Sequence, residues 1–351
     1  MCKLQQQLIP GTDLLDEHGH ISQIGYGTEF TVRYNREQIR RPQSEIREWD
    51  YYLALKRDYA IGVSIACTGA HSRISVHLID FKNDFHICET DFIPRPIPMP
   101  LDPFGDVTFK SGRSEGTYIK KGSKTYLKID MKDFGGQGKN FNALLEFTVP
   151  KTDKMVITVP YKDPELFYYN YKVNCIAVMG YAKHGEMLYE FTPDDCVGTN
   201  DWGRGLWEPV NQWYWGSASG EIDGKPFGFN IGHGFGDTSK ATENMIFYDG
   251  ICHKLHGMTF HIPGDLIGDL KLIIPDENYL QTWKFVSDDG RLDMTFTPVH
   301  DRQSGIQRAE YLSVQHQVFG CFNGTAVLDD GMVLEIRDLF GFAEKVGNDW
   351  R

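Results

Sequence analysis

The chain has 351 residues, 41% of them apolar and 24% charged, with a formal charge of −12. That length is enough for one large core or, more naturally, two ordinary ones. The negative field disfavours nucleic acid, with no basic run longer than Arg40-Arg41 or Lys120-Lys121, and the absence of any window of about 18 consecutive apolar residues excludes a membrane-spanning helix.

The first stretch, MCKLQQQLIPGTDLLDEHGH, lacks the apolar run of a secretory leader. Cysteines at 2, 67, 88, 175, 196, 252 and 321 show no CxxC or finger-like spacing, so reduced thiols in a cytoplasmic protein are expected. SEIREWDYYLALK is the one helix candidate and reads equally well as a strand. AIGVSIAC (60–67), RISVHLIDF (73–81), KTYLKIDM (124–131), NALLEFTVP (142–150) and KMVITVP (154–160) alternate in the period-two manner of strands. WYWGSASGEI, PFGFNIGHGF, NMIFYDG, MTFHIP, TWKFV, LDMTFTP, YLSVQHQVFG and MVLEIRDL continue the pattern. Asp223-Gly224, Asp289-Gly290 and Asp330-Gly331 separate such runs, and Asp249-Gly250 is a fourth candidate; Asp-Gly supplies the positive φ angles of tight hairpins. The fold class is all-β and antiparallel.

The two halves echo one another. LEFTVP, YKVNCIAVMG and GTNDWGR recur in order as MTFTP, LSVQHQVFG and VGNDWR, and Trp49-Asp50-Tyr51-Tyr52 is echoed by Trp213-Tyr214-Trp215. An internal duplication into 1–200 and 201–351 follows, each half about the size of one β-barrel.

The candidate site lies at the start of the second half. In DWGRGLWEPVNQWYWGSASG, parity puts Trp213, Trp215, Ser217 and Ser219 on one strand face and Tyr214, Gly216 and Ala218 on the other. The next strand carries Gly228, Asn230, Gly232 and Gly234 on one side. Glycine inside a strand marks close approach by a ligand, a backbone or a bulky ring. A hollow walled by indoles and faced by bare backbone is expected within this hairpin, with Trp207, Asn211, His233, Asn244 and Tyr248 around it. Asp237 and Glu243 in the following loop, and Asp201 before the hairpin, are the candidate acids, since burial against rings raises a carboxyl pKa toward neutrality. Asp201-Trp202 reads equally as a structural plug. Arg204 would hold an anionic group or pair with Asp201 or Glu208. His316 is a hydrogen-bonded core histidine or a general base. His253 and His256 have opposite parity in an extended segment, so no metal site is expected near His261, and no nucleotide or metal cofactor motif is present.

DWGRGLW, NQWYWGSASG, FNIGHGFGD, ATENMIFYDG, HQVFG and GFAEKVGNDW resemble a bacterial family known as a domain of unknown function. That family is distantly similar to the carotenoid 1,2-hydratase superfamily, whose members pair two lipocalin-like barrels. The resemblance implies tandem lipocalin-like barrels, a small apolar or terpenoid-like ligand and proton-initiated hydration or cyclisation. In the hydratases an Asp-His-x-Trp-Gly stretch stands where this chain has Gln212-Trp213-Tyr214-Trp215-Gly216; only Trp215-Gly216 matches, and the imidazole is missing. Three functions remain open: a hydratase, cyclase or isomerase that uses a carboxylic acid; a lipid carrier; and a carbohydrate-active protein with paired carboxylates and Trp platforms.

Overall fold

A computed structural model describes residues 5–265, 276–308 and 311–351; the thiol expected at Cys2 lies outside them. Among the described residues, helix is confined to a four-residue turn, Asp276–Tyr279, and two 3-10 turns. The helix candidate SEIREWDYYLALK forms one of these turns, Gln43–Glu45, and then a strand, Arg47–Leu55.

The first half contains β1 (Gly25–Gly27), β2 (Arg47–Leu55), β3 (Tyr59–Cys67), β4 (Ser72–Asp80), β5 (Phe85–Ile93), β6 (Val107–Lys110), β7 (Ser114–Lys121), β8 (Lys124–Met131), β9 (Phe141–Thr148), β10 (Met155–Pro160), β11 (Phe167–His184), β12 (Met187–Phe191) and β13 (Val197–Leu206). The second contains β14 (Val210–Ile222), β15 (Lys225–His233), β16 (Met245–Tyr248), β17 (Ile251–Lys254), β18 (Met258–His261), β19 (Trp283–Ser287), β20 (Leu292–Arg308), β21 (Tyr311–Val327) and β22 (Val333–Asp349). The division expected at 200/201 falls inside β13, which keeps pairing in the first sheet to Gly205 and Leu206.

Both sheets are antiparallel and share one plan. The order β5-β4-β3-β2-β13-β11-β9-β8-β7-β6 is answered by β17-β16-β15-β14-β22-β21-β20-β19-β18. In each, the last strand closes the sheet against the first strand of an opening meander. This common topology is the structural form of the duplication: two tandem lipocalin-like barrels. Asp223 and Asp249 adopt φ of 53° and 51° in their Asp-Gly turns, as those hairpins require.

Each barrel has its own apolar lumen. Tyr52, Ile61, Leu127, Phe147 and Trp202 help fill the first; Phe227, Phe229, Trp283, Phe296 and Phe322 help fill the second. Two further clusters lie between the barrels. One contains Ile157, Tyr168 and Phe235 with Trp49, Trp207 and Trp213 against it; the other contains Leu53, Trp215, Phe319 and Phe342. Facing strands are therefore buried on both sides, one toward a lumen and one toward the joint.

A bulge in β11 locks the joint. The register of β11 against β13 shifts between Val173 and Ile176, and Cys175 takes φ 55°. Asn174 is thereby aimed across the interface, donating to Ser217 Oγ and to the Phe229 carbonyl, each at 2.9 Å, while the Cys175 amide donates to Ser219 Oγ at 2.9 Å. Gly228 admits this contact: a Cβ there would lie 2.9 Å from Cys175 Sγ.

Candidate active site between the two barrels

Register places the functional side chains in rows. On the first sheet, Ser75, Ser64, Tyr51, Asp201 and Lys172 are successive partners across β4, β3, β2, β13 and β11. On the second, Arg302, Gln317, Glu344 and Trp215 are successive partners across β20, β21, β22 and β14. Directly paired residues point to the same face, and these two faces line a cavity of about 1100 Å³ that opens to solvent. Its aromatic lining includes Trp49, Tyr51, Tyr168, Trp207, Trp213 and Trp215.

The rings brace one another. Trp49 stacks on Tyr168 at 6.0 Å and meets Trp207 edge-on at 5.4 Å. Phe235 sits among them, 4.8 Å from Tyr168, 5.3 Å from Trp207 and 5.5 Å from Trp213. Strand parity would send Phe235 into the second lumen. Gly234, at φ 91°, ends the strand and turns it into the cleft instead.

The charged lining includes the carboxyls Asp201, Glu243 and Glu344 and the cations Lys172 and Arg302, with Arg47, Glu48 and Arg73 also on the walls. Asp201 Oδ1 accepts from Asn170 Nδ2 at 2.6 Å and Oδ2 from Trp49 Nε1 at 3.1 Å. Burial pushes its pKa above the ordinary carboxylate range, with the Lys172 charge and these two donors pulling the other way. Glu344 Oε1 accepts from Trp213 Nε1 at 2.9 Å, and Oε2 from Gln315 and Gln317 at 3.3 and 3.2 Å. Burial raises it too, opposed by the Trp213 N–H and by Arg302. Glu243 Oε2 is ion-paired with Lys172 Nζ at 2.5 Å and accepts from Asn230 Nδ2 at 3.1 Å. Lys172 Nζ also lies 4.6 Å from the centre of the Trp215 ring, whose N–H donates to Asn230 Oδ1 at 2.7 Å. The fifth group, Arg302, is fully buried in the second wall.

The expected hollow within the hairpin is corrected. The indoles and the glycines of β14 and β15 are neighbours on one wall, because Trp215 pairs with Gly232 and Ser219 with Gly228. The space above Gly232 holds the Glu243 side chain, whose Oε1 would be 2.1 Å from a Cβ there. The opposite wall is the first barrel.

Of the residues singled out in the sequence, Asp201, Glu243, Trp207, Trp213 and Trp215 line the cavity, and Asn230 holds Trp215 and Glu243 in place. The others lie elsewhere. Asp237 is exposed, its Oδ1 accepting from the Ser239 amide at 2.9 Å, and this turn bond holds its pKa down. Arg204 has opposite parity to Asp201 and points into the first barrel. There it lies over Trp202, donates to the Trp49 and Pro100 carbonyls and stands 3.8 Å from Glu48, not beside Asp201 or Glu208. Trp202 is the plug, fully buried beside Phe30 and Tyr169. Tyr214 faces the second lumen, bonded to Asp265 and Lys345 at 2.6 Å each, with the His233 ring on the same side. His316 faces that lumen too, 2.8 Å from Asp301 and stacked on Tyr279, while its neighbours Gln315 and Gln317 face the cavity. Asn211 pairs with Asn348. Asn244 joins the Gly232 amide to the His256 carbonyl. Tyr248 is buried in the second core. His253 contacts Asp329, and among the described residues no group of three or more His, Cys, Asp or Glu side chains is disposed to hold a metal.

Sequence reasoning missed Lys172, Glu344, Arg302 and the first-barrel rings Trp49, Tyr51 and Tyr168. A signal existed: each of the three charges stands inside a strand-like run, in YNYKVNC, GFAEKVG and VHDRQSG.

The family model described as Domain of unknown function (DUF2804) matches residues 5–350. No curated protein matches the chain. Among solved structures it is similar to CghA with Sch210972, at 10% identity and a TM-score of 0.58, covering 97% of this chain and 98% of that one. A second CghA structure gives 10% identity and a TM-score of 0.51, covering 98% of both. Kievitone hydratase from Nectria haematococca gives 11% identity and 0.49, covering 92% and 98%. At such identities the likeness is one of fold.

Proposed function

The chain belongs to the DUF2804 family, and from the cavity its two barrels line we propose an acid-initiated hydratase, cyclase or isomerase acting on a small, largely apolar ligand. One observation carries this reading: a buried carboxyl, Asp201, held toward its neutral form in a cavity walled by indole and phenol rings. A proton donor working near neutral pH needs such an upward shift. Asp201 is preferred to Glu344 because each of its oxygens accepts one side-chain hydrogen bond, whereas Glu344 accepts three in all. It keeps more capacity to face a substrate.

The Asp201 O–H bond breaks as a C–H bond forms at one carbon of a ligand double bond. Positive charge develops on the other carbon, where ring faces stabilise it by roughly 0.5–2 kcal/mol each. The Lys172 ammonium over Trp215 shows that this wall accepts a cation. Water adds to the cation in a hydration, a second double bond adds in a cyclisation, and loss of a proton completes an isomerisation. Glu243, ion-paired with Lys172, is the base that takes the released proton. The structure of CghA with Sch210972, which has the same fold, supports a ligand-binding role.

The test is to extract the purified protein with organic solvent, identify the bound molecule by mass spectrometry and incubate it with protein in D₂O. Wild type is expected to place deuterium on carbon, and Asp201→Asn to be slower by about 10²–10⁴-fold. Full incorporation by D201N overturns the assignment.

A further inference from the structure

Arg302 has a role the reaction above does not use. Its side chain is among the largest fully buried ones in the chain, and it lines the cavity. Its Nη1 donates to Ser304 Oγ at 3.0 Å, and its Nε–H has no partner. Among the described residues no carboxylate oxygen lies within 4.0 Å of its nitrogens. A buried guanidinium without an anion is costly, and its planar fork is shaped for a carboxylate or similar oxyanion.

Glu344 is kept from serving as that anion by the sheet itself. Gln317 stands between the two in register and donates its amide to Glu344 Oε2 at 3.2 Å. Two strand spacings, about 10 Å of backbone, separate Arg302 from Glu344. The other groups facing the guanidinium include the Cys88 thiol, which is hydrogen-bonded to it, and Tyr51, His77 and His86 of the first barrel, none of them an anion held at contact. Burial and the Arg302 charge together keep His77 neutral, and burial keeps the Cys88 thiol and the Tyr51 phenol protonated.

We infer that Arg302 anchors an anionic group of the ligand, so the cavity takes amphipathic acids: an apolar body on the rings and a carboxylate or equivalent oxyanion at the guanidinium. This rests on reading the cavity as the ligand site and narrows its substrate class. The row Arg302–Gln317–Glu344–Trp215 sets the span, about 14 Å from the anchor to the indole wall. Held at its acidic end, a ligand of that length lays its far portion across Trp213 and Trp215, the wall opposite Asp201.

The experiment compares all-trans-retinoic acid with all-trans-retinol, two probes of one skeleton that differ in the end group, by quenching of tryptophan fluorescence. Wild type is expected to bind the acid at least tenfold more tightly than the alcohol. In Arg302→Gln the acid is expected to weaken to the level of the alcohol, with alcohol binding unchanged; Arg302→Lys, which keeps the charge but loses the fork, is expected to fall between. Equal affinities in wild type, acid preference surviving in R302Q, or quenching by neither probe each overturn the anchor. A melting temperature for R302Q several degrees below wild type also overturns it, since that would give Arg302 a structural role; the expected melt is at or above wild type. These outcomes are independent of the Asp201→Asn deuterium test, so either conclusion can fall alone.

Discussion

Replacing Lys172 by Met removes one partner of a buried ion pair and leaves the other. The Lys172 and Glu243 side chains are 4% and 14% exposed and 2.5 Å apart. Breaking such a pair from one side costs about 3–5 kcal/mol, because an uncompensated charge is left behind. The ammonium's contact with the Trp215 ring is lost as well. Asn230 still donates to Glu243, which softens the loss. A value of about 4 kcal/mol is expected. With an unfolding entropy of about 0.7 kcal/mol/K for a chain of this length, K172M should melt about 5 °C below wild type. The double variant Lys172→Met/Glu243→Gln removes both charges and keeps the acceptor for Asn230, so it should recover to within about 1 kcal/mol of wild type. Differential scanning calorimetry of the four proteins at one pH reads the cycle. A K172M melt within 1 °C of wild type, or a double variant as unstable as the sum of the singles, would refute the view that these residues stabilise each other as a buried pair.

Two other outcomes follow from the same geometry. Asn174→Ala removes the side-chain bonds to Ser217, Ala218, Ser219 and Phe229 across the joint and leaves the Phe229 carbonyl short of a donor; a loss of about 1–3 kcal/mol in urea denaturation is expected, and a change below 0.5 kcal/mol would show that the bulge does not lock the barrels. Asp201 and Glu344 have folded pKa values raised above their unfolded values of about 4. Their neutral forms therefore contribute stability in full below pH 4, and it is lost as pH climbs through the folded values. As pH rises above about 4, the wild-type melting temperature should fall more steeply than that of Asp201→Asn/Glu344→Gln, and parallel curves would contradict the upward shifts.

The sequence carried the fold further than the site. Alternation and Asp-Gly turns locate most strands without help, and parity puts Trp213 and Trp215 together and apart from Tyr214. What parity leaves open is which face is a lumen and which a joint. β13 is buried along nearly its whole length, so Asp201 and Arg204 look equally available until the first barrel is closed behind one of them. Lys172 and Glu344 read locally as solvated charges. Their burial depends on partners 71 and 131 positions away, Glu243 and Trp213, and on the docking of two sheets. Asp237 misleads for the converse reason: a carboxylate after Gly-Phe-Gly looks like a pocket rim, but its nearest donor is the amide two residues on. Strand alternation alone would send Phe235 into the second lumen, and one glycine, Gly234, redirects it.

On β13, β14 and β22 the residues of the cavity alternate one by one with residues that fill a barrel: Asp201 beside Trp202, Trp215 beside Tyr214, Glu344 beside Lys345. A substitution that reshapes the chamber therefore leaves the adjacent filling position untouched, and the scaffold can hold its form while the lining drifts. Two sets of positions threaded on the same strands can evolve at different rates, which gives this architecture room to change what it recognises without first gaining stability elsewhere.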